Sequence, residues 1–184
     1  MRQLVINAFK NTVSQFKSDM ALMPIERWNE AVFRFMFSRT VTKAAREQML
    51  KVDQFFECDR VDLVLHKNSE RAFIEFKFYI HSPKHDALSG ESCGWKGFPS
   101  EKNLSEFMNC IQTLRARSVP PNTLKLVALF YADPVNNTGR RYEDDYGDRS
   151  CIDNELKIRR LVAIGPFSPN GRDNCHARLY EISS

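Results

Sequence analysis

The sequence of 184 residues has no C-x-x-C pair. Its five cysteines stand at 58, 93, 110, 151 and 175, an odd number at scattered spacings. That argues against a disulfide framework, a zinc ribbon and cysteine-held iron–sulfur clusters, and for free thiols in a reducing compartment. No hydrophobic run approaches the roughly 18 residues of a membrane span. The first twenty residues, MRQLVINAFKNTVSQFKSDM, lack the continuous apolar stretch of a signal peptide. There are no repeats and no low-complexity segment. A soluble, cytoplasmic protein with no membrane partner is expected. The net charge of +4 permits a nucleic-acid partner without demanding one.

What is present is core-forming material. Hydrophobic residues make up 42% and charged residues 27%, and fourteen residues are Phe. This suits one globular domain of α/β class over 1–184. It divides into an N-terminal helix (1–23), a core (24–131), and a polar excursion with a closing hairpin (132–184).

The most informative stretch is 60–79, RVDLVLHKNSERAFIEFKFY. It reads as two strands, 61–65 and 72–79, joined by a polar turn at 66–71. Asp62 sits among Val and Leu. On the second strand Phe73, Glu75, Lys77 and Tyr79 share one side; Ile74, Phe76 and Phe78 share the other. The period of two places Glu75 and Lys77 roughly 7 Å apart on one face, and a hairpin of this length brings Asp62 beside Glu75. Paired carboxylates in an apolar setting call for a partner, a cation or solvent. Their oxygens suit a hard ion such as Mg²⁺. Glu-Xaa-Lys also occurs on solvated sheet faces, where the charges simply meet water.

The pattern resembles the PD-(D/E)XK nuclease superfamily, the restriction-endonuclease-like enzymes. Asp62 matches the family's first acid, and Glu75-Phe76-Lys77 its (D/E)-x-K; Val61 stands where the family often has proline. The resemblance implies that Asp62, Glu75 and the Phe76 carbonyl hold Mg²⁺, with Mn²⁺ able to substitute. It implies that Lys77 assists the attacking water, that the substrate is nucleic acid and most readily DNA, and that a homodimer would cut two strands. It also implies an αβββαβ core with a mixed central sheet flanked by helices.

Element order along the chain agrees with that core. Apolar spacing predicts a helix over 2–22, by default a core helix. Pro24 opens a second helix to about residue 39, which places Glu26 and Glu30 one turn apart. In the family this helix often lends a glutamate to the site, and Glu30 is the better match. The alternative is that both glutamates pair with Arg27 or Arg34 on a solvated face. The basic stretch 38–51 reads as phosphate-facing or as an exposed helix. Strand 52–57 then turns at Cys58-Asp59 into the hairpin, where Asp59 is a rival acid.

The irregular stretch 80–100 is expected to be a long loop leaving the catalytic strand. Its Lys84, Trp95 and Lys96 are candidates for substrate contact through phosphate pairing and base stacking. His81, His85 and Asp86 fit no standard metal spacing. Ser100 caps a helix to about 117, on which Gln112 is a further substrate-binding candidate. The apolar run 124–131 reads as a buried central strand. The charged stretch 132–153 reads as a surface excursion whose acids do not have calcium-loop spacing. Segments 156–167 and 177–182 form a C-terminal β-hairpin about 168–171.

Three functions remain open at this level: a metal-dependent nuclease; a catalytically inactive protein of the same fold that binds nucleic acid or protein; and an unrelated α/β protein with a chance Glu-x-Lys strand.

Overall fold

The computed structural model describes residues 1–23, 25–58, 60–85, 88–148 and 152–183. Pro24, Asp59, Asp86 and Cys151, which figured in the sequence reading, lie outside the described residues. Cys58, Cys93, Cys110 and Cys175 are free thiols. Among the described residues no helix is long and apolar enough to cross a membrane.

Six strands form one mixed sheet. β1 (Asp53–Cys58), β2 (Val61–Lys67) and β3 (Glu70–Ile80) make an antiparallel meander at one side. β6 (Thr123–Pro134) runs parallel to β3. The closing hairpin, β7 (Ile158–Phe167) and β8 (Asp173–Ile182), adds antiparallel strands beyond β6 in the order β1-β2-β3-β6-β8-β7.

Residue parity divides the core into two. Even-numbered residues of β3 and β6, including Ile74, Phe76, Leu126 and Phe130, pack under α1 (Arg2–Met20) and α2 (Glu30–Glu47). Odd-numbered ones, including Phe73, Tyr79, Val127 and Leu129, pack under α3 (Glu101–Ala116) and α4 (Tyr142–Tyr146). Much of the phenylalanine lies on the first face. Phe78 stacks on Phe130 at 4.7 Å, while Phe16 meets Trp28, Phe33 and Phe130 edge-on. Such aromatic pairs add to the free energy of area burial. β6 is buried on both faces because helices cover both, which is why it reads as an unbroken apolar run.

Four boundaries differ from the sequence expectation. The second helix begins at Asn29, whose side chain accepts the Val32 N–H at 3.0 Å. Residues 25–27 form a separate 3-10 turn, so Glu26 and Glu30 do not share a helical face. The helix then continues to Glu47, through the basic stretch read as separate, because Val41, Ala44 and Ala45 extend its buried stripe. The irregular stretch after β3 holds a two-stranded hairpin, β4 (Ser82–His85) and β5 (Ser92–Lys96), rather than an open loop. Finally, the charged stretch 132–153 is not merely surface. Asp133 is buried, and its two oxygens accept the Tyr142 and Glu143 N–H groups at 2.9 Å each. That anchor seats α4, whose tyrosines 142 and 146 are buried against Tyr79. Short α5 (Ile152–Glu155) covers the same face with Ile152.

Candidate functional site

The site forms where β2 and β3 part. Their pairing runs from Lys67↔Glu70 to Leu63↔Ile74 and then stops. Beyond that point β3 continues to Ile80 against β6 alone, so its other edge is open. Asp62 fills the split, with Oδ2 accepting the Phe76 N–H at 2.7 Å. A side chain thus satisfies a strand amide that has lost its ladder partner. In an extended strand one residue's N–H and C=O leave on the same side, so the Phe76 carbonyl faces the same gap.

Asp62 and Glu75 come next in register after Leu63 and Ile74, and therefore share a face. They are close enough to perturb each other. Burial first, then the Asp62 charge and a hydrogen bond with it, push the Glu75 carboxyl up to about 7. Lys77 stands one pleat further on. Burial pulls its ammonium down, but the negative groups around it raise its pKa overall. Among these Cys110 acts only as a thiolate, and burial pushes that thiol up to about 12, so the carboxylates do this work at neutral pH. Lys77 is a full cation there.

Two groups arrive from α2. Glu30, in its first turn, lies within electrostatic reach of Lys77 and Asp62; burial raises its pKa and Lys77 opposes the rise. Arg34, one turn later, donates from Nη1 to Asp62 Oδ1 at 3.1 Å and from Nη2 to Glu57 Oε1 at 3.3 Å. The sequence showed Arg34 only as a partner for a surface glutamate. What hid its role is that α2 lies on one face of the sheet and Glu75 on the other; they meet only because the strands separate.

The sheet face opens into a cleft of about 370 Å³ lined by Glu75, Lys77, Glu106, Asn109, Cys110 and Thr113. The last four sit at helical spacing on α3, a polar stripe visible in the sequence. Gln112 is exposed and lies outside this lining. The other substrate candidates belong to the β4–β5 hairpin. Lys84 and Trp95 are exposed. The Lys96 Nζ is committed to the fold: it donates to the Glu26 and Trp28 carbonyls at 2.7 and 2.5 Å. Glu30, Lys96 and Tyr142 border a second cavity of about 240 Å³ at the far end of β3. His81 packs against Trp95 and Phe98, and His85 pairs with Glu26 at 3.4 Å, so neither reaches the carboxylates. A larger cavity, about 840 Å³, opens beside Glu26, His85 and Asp173, away from Asp62 and Glu75.

The donors present are hard oxygens, two carboxylates and a strand carbonyl, the set that Mg²⁺ accepts while keeping several waters. Burial first, and then the Asp62 charge, raise the Glu75 pKa, and a bound cation would oppose both. Among the described residues no three His, Cys, Asp or Glu side chains are already arranged as a ligand set. Comparison with models of protein families, with curated proteins and with solved structures finds no match to this chain.

Proposed function

We propose that the chain is a metal-dependent nuclease of the PD-(D/E)XK type, acting on phosphodiester bonds in DNA. One observation carries this reading. Asp62 and Glu75 share the face beside the point where the β2–β3 pairing ends, and Lys77 follows on the same face. The order α2, three-stranded meander, α3, parallel β6 supports a restriction-endonuclease-like core around it.

A divalent ion held by Asp62, Glu75 and the Phe76 carbonyl would supply positive charge at the scissile phosphate. The remaining work falls to the chain. Lys77, charged at neutral pH, offers three N–H donors to the attacking water oxygen or to the phosphate as charge builds on it. The negative charge of Glu30 favours the ammonium form of Lys77. The α3 stripe, with Asn109 and Thr113, borders the space into which the phosphate enters.

A second reading has its own observation. Arg34 already pairs with Asp62, as expected of a site whose acid serves the fold rather than chemistry. That reading makes the chain an inactive binding module. Incubation of supercoiled plasmid with Mg²⁺ or Mn²⁺ separates the two. Nicking by wild type, abolished by EDTA and absent from Glu75→Ala and Lys77→Ala, supports the nuclease. Equal nicking by all three proteins sinks the site assignment, and no nicking by any favours the module.

A further inference from the structure

Beyond the site, β3 keeps an open edge. At one end of the β3–β6 pairing the Arg71 N–H donates to the Asn122 carbonyl at 3.1 Å, and at the other the His81 N–H donates to the Ala132 carbonyl at 2.9 Å. Odd-numbered residues of β3 therefore turn their backbone groups toward β6. Even-numbered ones turn theirs toward the gap left where β2 pairing ends. Asp62 fills the first such position by accepting the Phe76 N–H. Among the described residues no side chain does the same for Phe78. Its N–H and C=O stand side by side at the edge.

A cavity of about 240 Å³ lies there, lined by Trp28, Phe78, Tyr79 and Tyr142 among others. Trp28 and Tyr142 are buried, and Tyr79 stacks on Tyr142 at 5.5 Å, so these walls are rigid and aromatic. The volume is below the roughly 300 Å³ at which pockets for drug-sized ligands begin. A single flat ring system suits it. An unpaired nucleobase has that shape, and its edge carries donors and acceptors side by side, as one strand residue does.

The cavity adjoins the candidate site on one side and an exposed aromatic pair on the other. Tyr79 follows Lys77 on the same face of β3, roughly 7 Å along the strand. Glu30 borders the cavity and acts on Lys77 through its charge. On the far side Lys96 and Gly97 belong to the lining. Their neighbours in sequence, Trp95 and Phe98, are 56% and 64% exposed. Both rings rest on His81, at 4.8 and 5.6 Å. The Lys96 ammonium ties this segment to the Glu26 and Trp28 carbonyls, so the two rings are held in solvent on an anchored support. Bases stack on such rings whatever their sequence, and exposed Lys84 on β4 can meet a phosphate. A duplex hides its base faces; a single strand presents them.

We propose that this cavity takes an unpaired base of a DNA strand lying across the Asp62–Glu75 site, that Trp95 and Phe98 stack neighbouring bases, and that the substrate is therefore single-stranded DNA. The choice of DNA rests on the nuclease reading; the pocket and the stacking rings do not.

The test is binding of fluorescein-labelled oligonucleotides by anisotropy in EDTA, so that no cleavage intervenes. Wild type should bind a single strand about tenfold more tightly than the same sequence as a duplex. Trp95→Ala and Phe98→Ala should each lose about tenfold on the single strand and little on the duplex, with unchanged melting temperatures because both rings are exposed. Trp95→Phe should keep most of the affinity, and it leaves Trp28 as the chain's one tryptophan. An unlabelled single strand should then quench Trp28 emission, since a base enters beside it. Moving one abasic position along the strand should abolish that quenching at one register alone. Duplex binding as tight as single-strand binding overturns the proposal, as does failure of wild type to bind a single strand. Full affinity in both alanine variants overturns the stacking, and Trp28 emission that no single strand alters overturns the pocket. Tighter binding of single-stranded RNA overturns DNA as the ligand. Binding with register-specific quenching, but no cleavage in Mg²⁺ or Mn²⁺, keeps the pocket and sinks the nuclease. Metal-dependent cleavage of duplex as fast as of single strand keeps the nuclease and sinks this inference alone.

Discussion

Arg34 Nη1 donates to Asp62 Oδ1 at 3.1 Å, so the first acid of the candidate site already has a cationic partner from the opposite face of the sheet. Any ion that approaches Asp62 competes with a guanidinium that is itself mostly buried. A hydrogen bond between charged groups contributes about 1.5 kcal/mol or more, roughly a factor of ten in an equilibrium. Arg34→Gln should therefore bind Mn²⁺ about tenfold more tightly by calorimetry. Weaker binding would show instead that Arg34 positions Asp62 for the ion.

Glu75 predicts a pH dependence. Its folded pKa is about 7 against an ordinary value of 4.5. Between these values the folded protein holds a proton that the unfolded chain releases, so stability falls as pH rises through that window. Glu75→Gln removes the effect. Discounted for solvent screening, the variant should be more stable than wild type by about 1 kcal/mol at pH 8 and little different at pH 4. Urea denaturation at the two values checks this. Mg²⁺ should raise the wild-type midpoint at pH 8 and leave the variant's midpoint nearly unchanged, because the ion needs the charge that Gln lacks.

Gly97 fixes the hairpin over the end of β3. Its φ is +67°, and an added Cβ would stand 1.9 Å from the Ile80 carbonyl oxygen, which is backbone and cannot step aside. Gly97→Ala should cost about 2 kcal/mol or more. The disturbance begins one residue from Lys96, whose ammonium ties the hairpin to the turn before α2. Emission from buried Trp28 should shift to the red, since its carbonyl is one of those Lys96 holds. A normal spectrum and midpoint would mean that the hairpin can lift without disturbing α2.

The meander and the carboxylate pair were legible in sequence because they follow from period and parity. A strand with Ile74, Phe76 and Phe78 on one side must put Glu75 and Lys77 on the other. Ser100 was legible as a cap for α3, and its side chain does accept the Asn103 N–H. The contribution of Arg34 was not, since no local pattern shows where two strands will separate. The stretch 132–153 misled because its acids look solvated one by one. Asp133 is buried all the same, since two backbone N–H groups meet its oxygens, and sequence composition does not show such partners.

That burial makes Asp133 the sharpest stability test in the chain. Removing its carboxylate strands the Tyr142 and Glu143 amides at the start of α4. Each unsatisfied buried donor costs about 1–3 kcal/mol, so Asp133→Ala should lose about 3 kcal/mol. Asp133→Asn keeps one acceptor oxygen and should lose about half as much. The effect should reach the functional face. Tyr142 borders the cavity beside Glu30, and it accepts the Asn103 Nδ2–H at 2.8 Å, which ties α4 to α3. Tyr131 also donates to Glu143 at 2.8 Å, so freeing α4 leaves a second buried hydroxyl without its acceptor. Chemical denaturation gives the stability order, and hydrogen exchange locates the loss. Exchange that rises first at 142–146 and then along α3 supports this anchoring, whereas uniform exchange with an unchanged midpoint would place α4 outside the cooperative core.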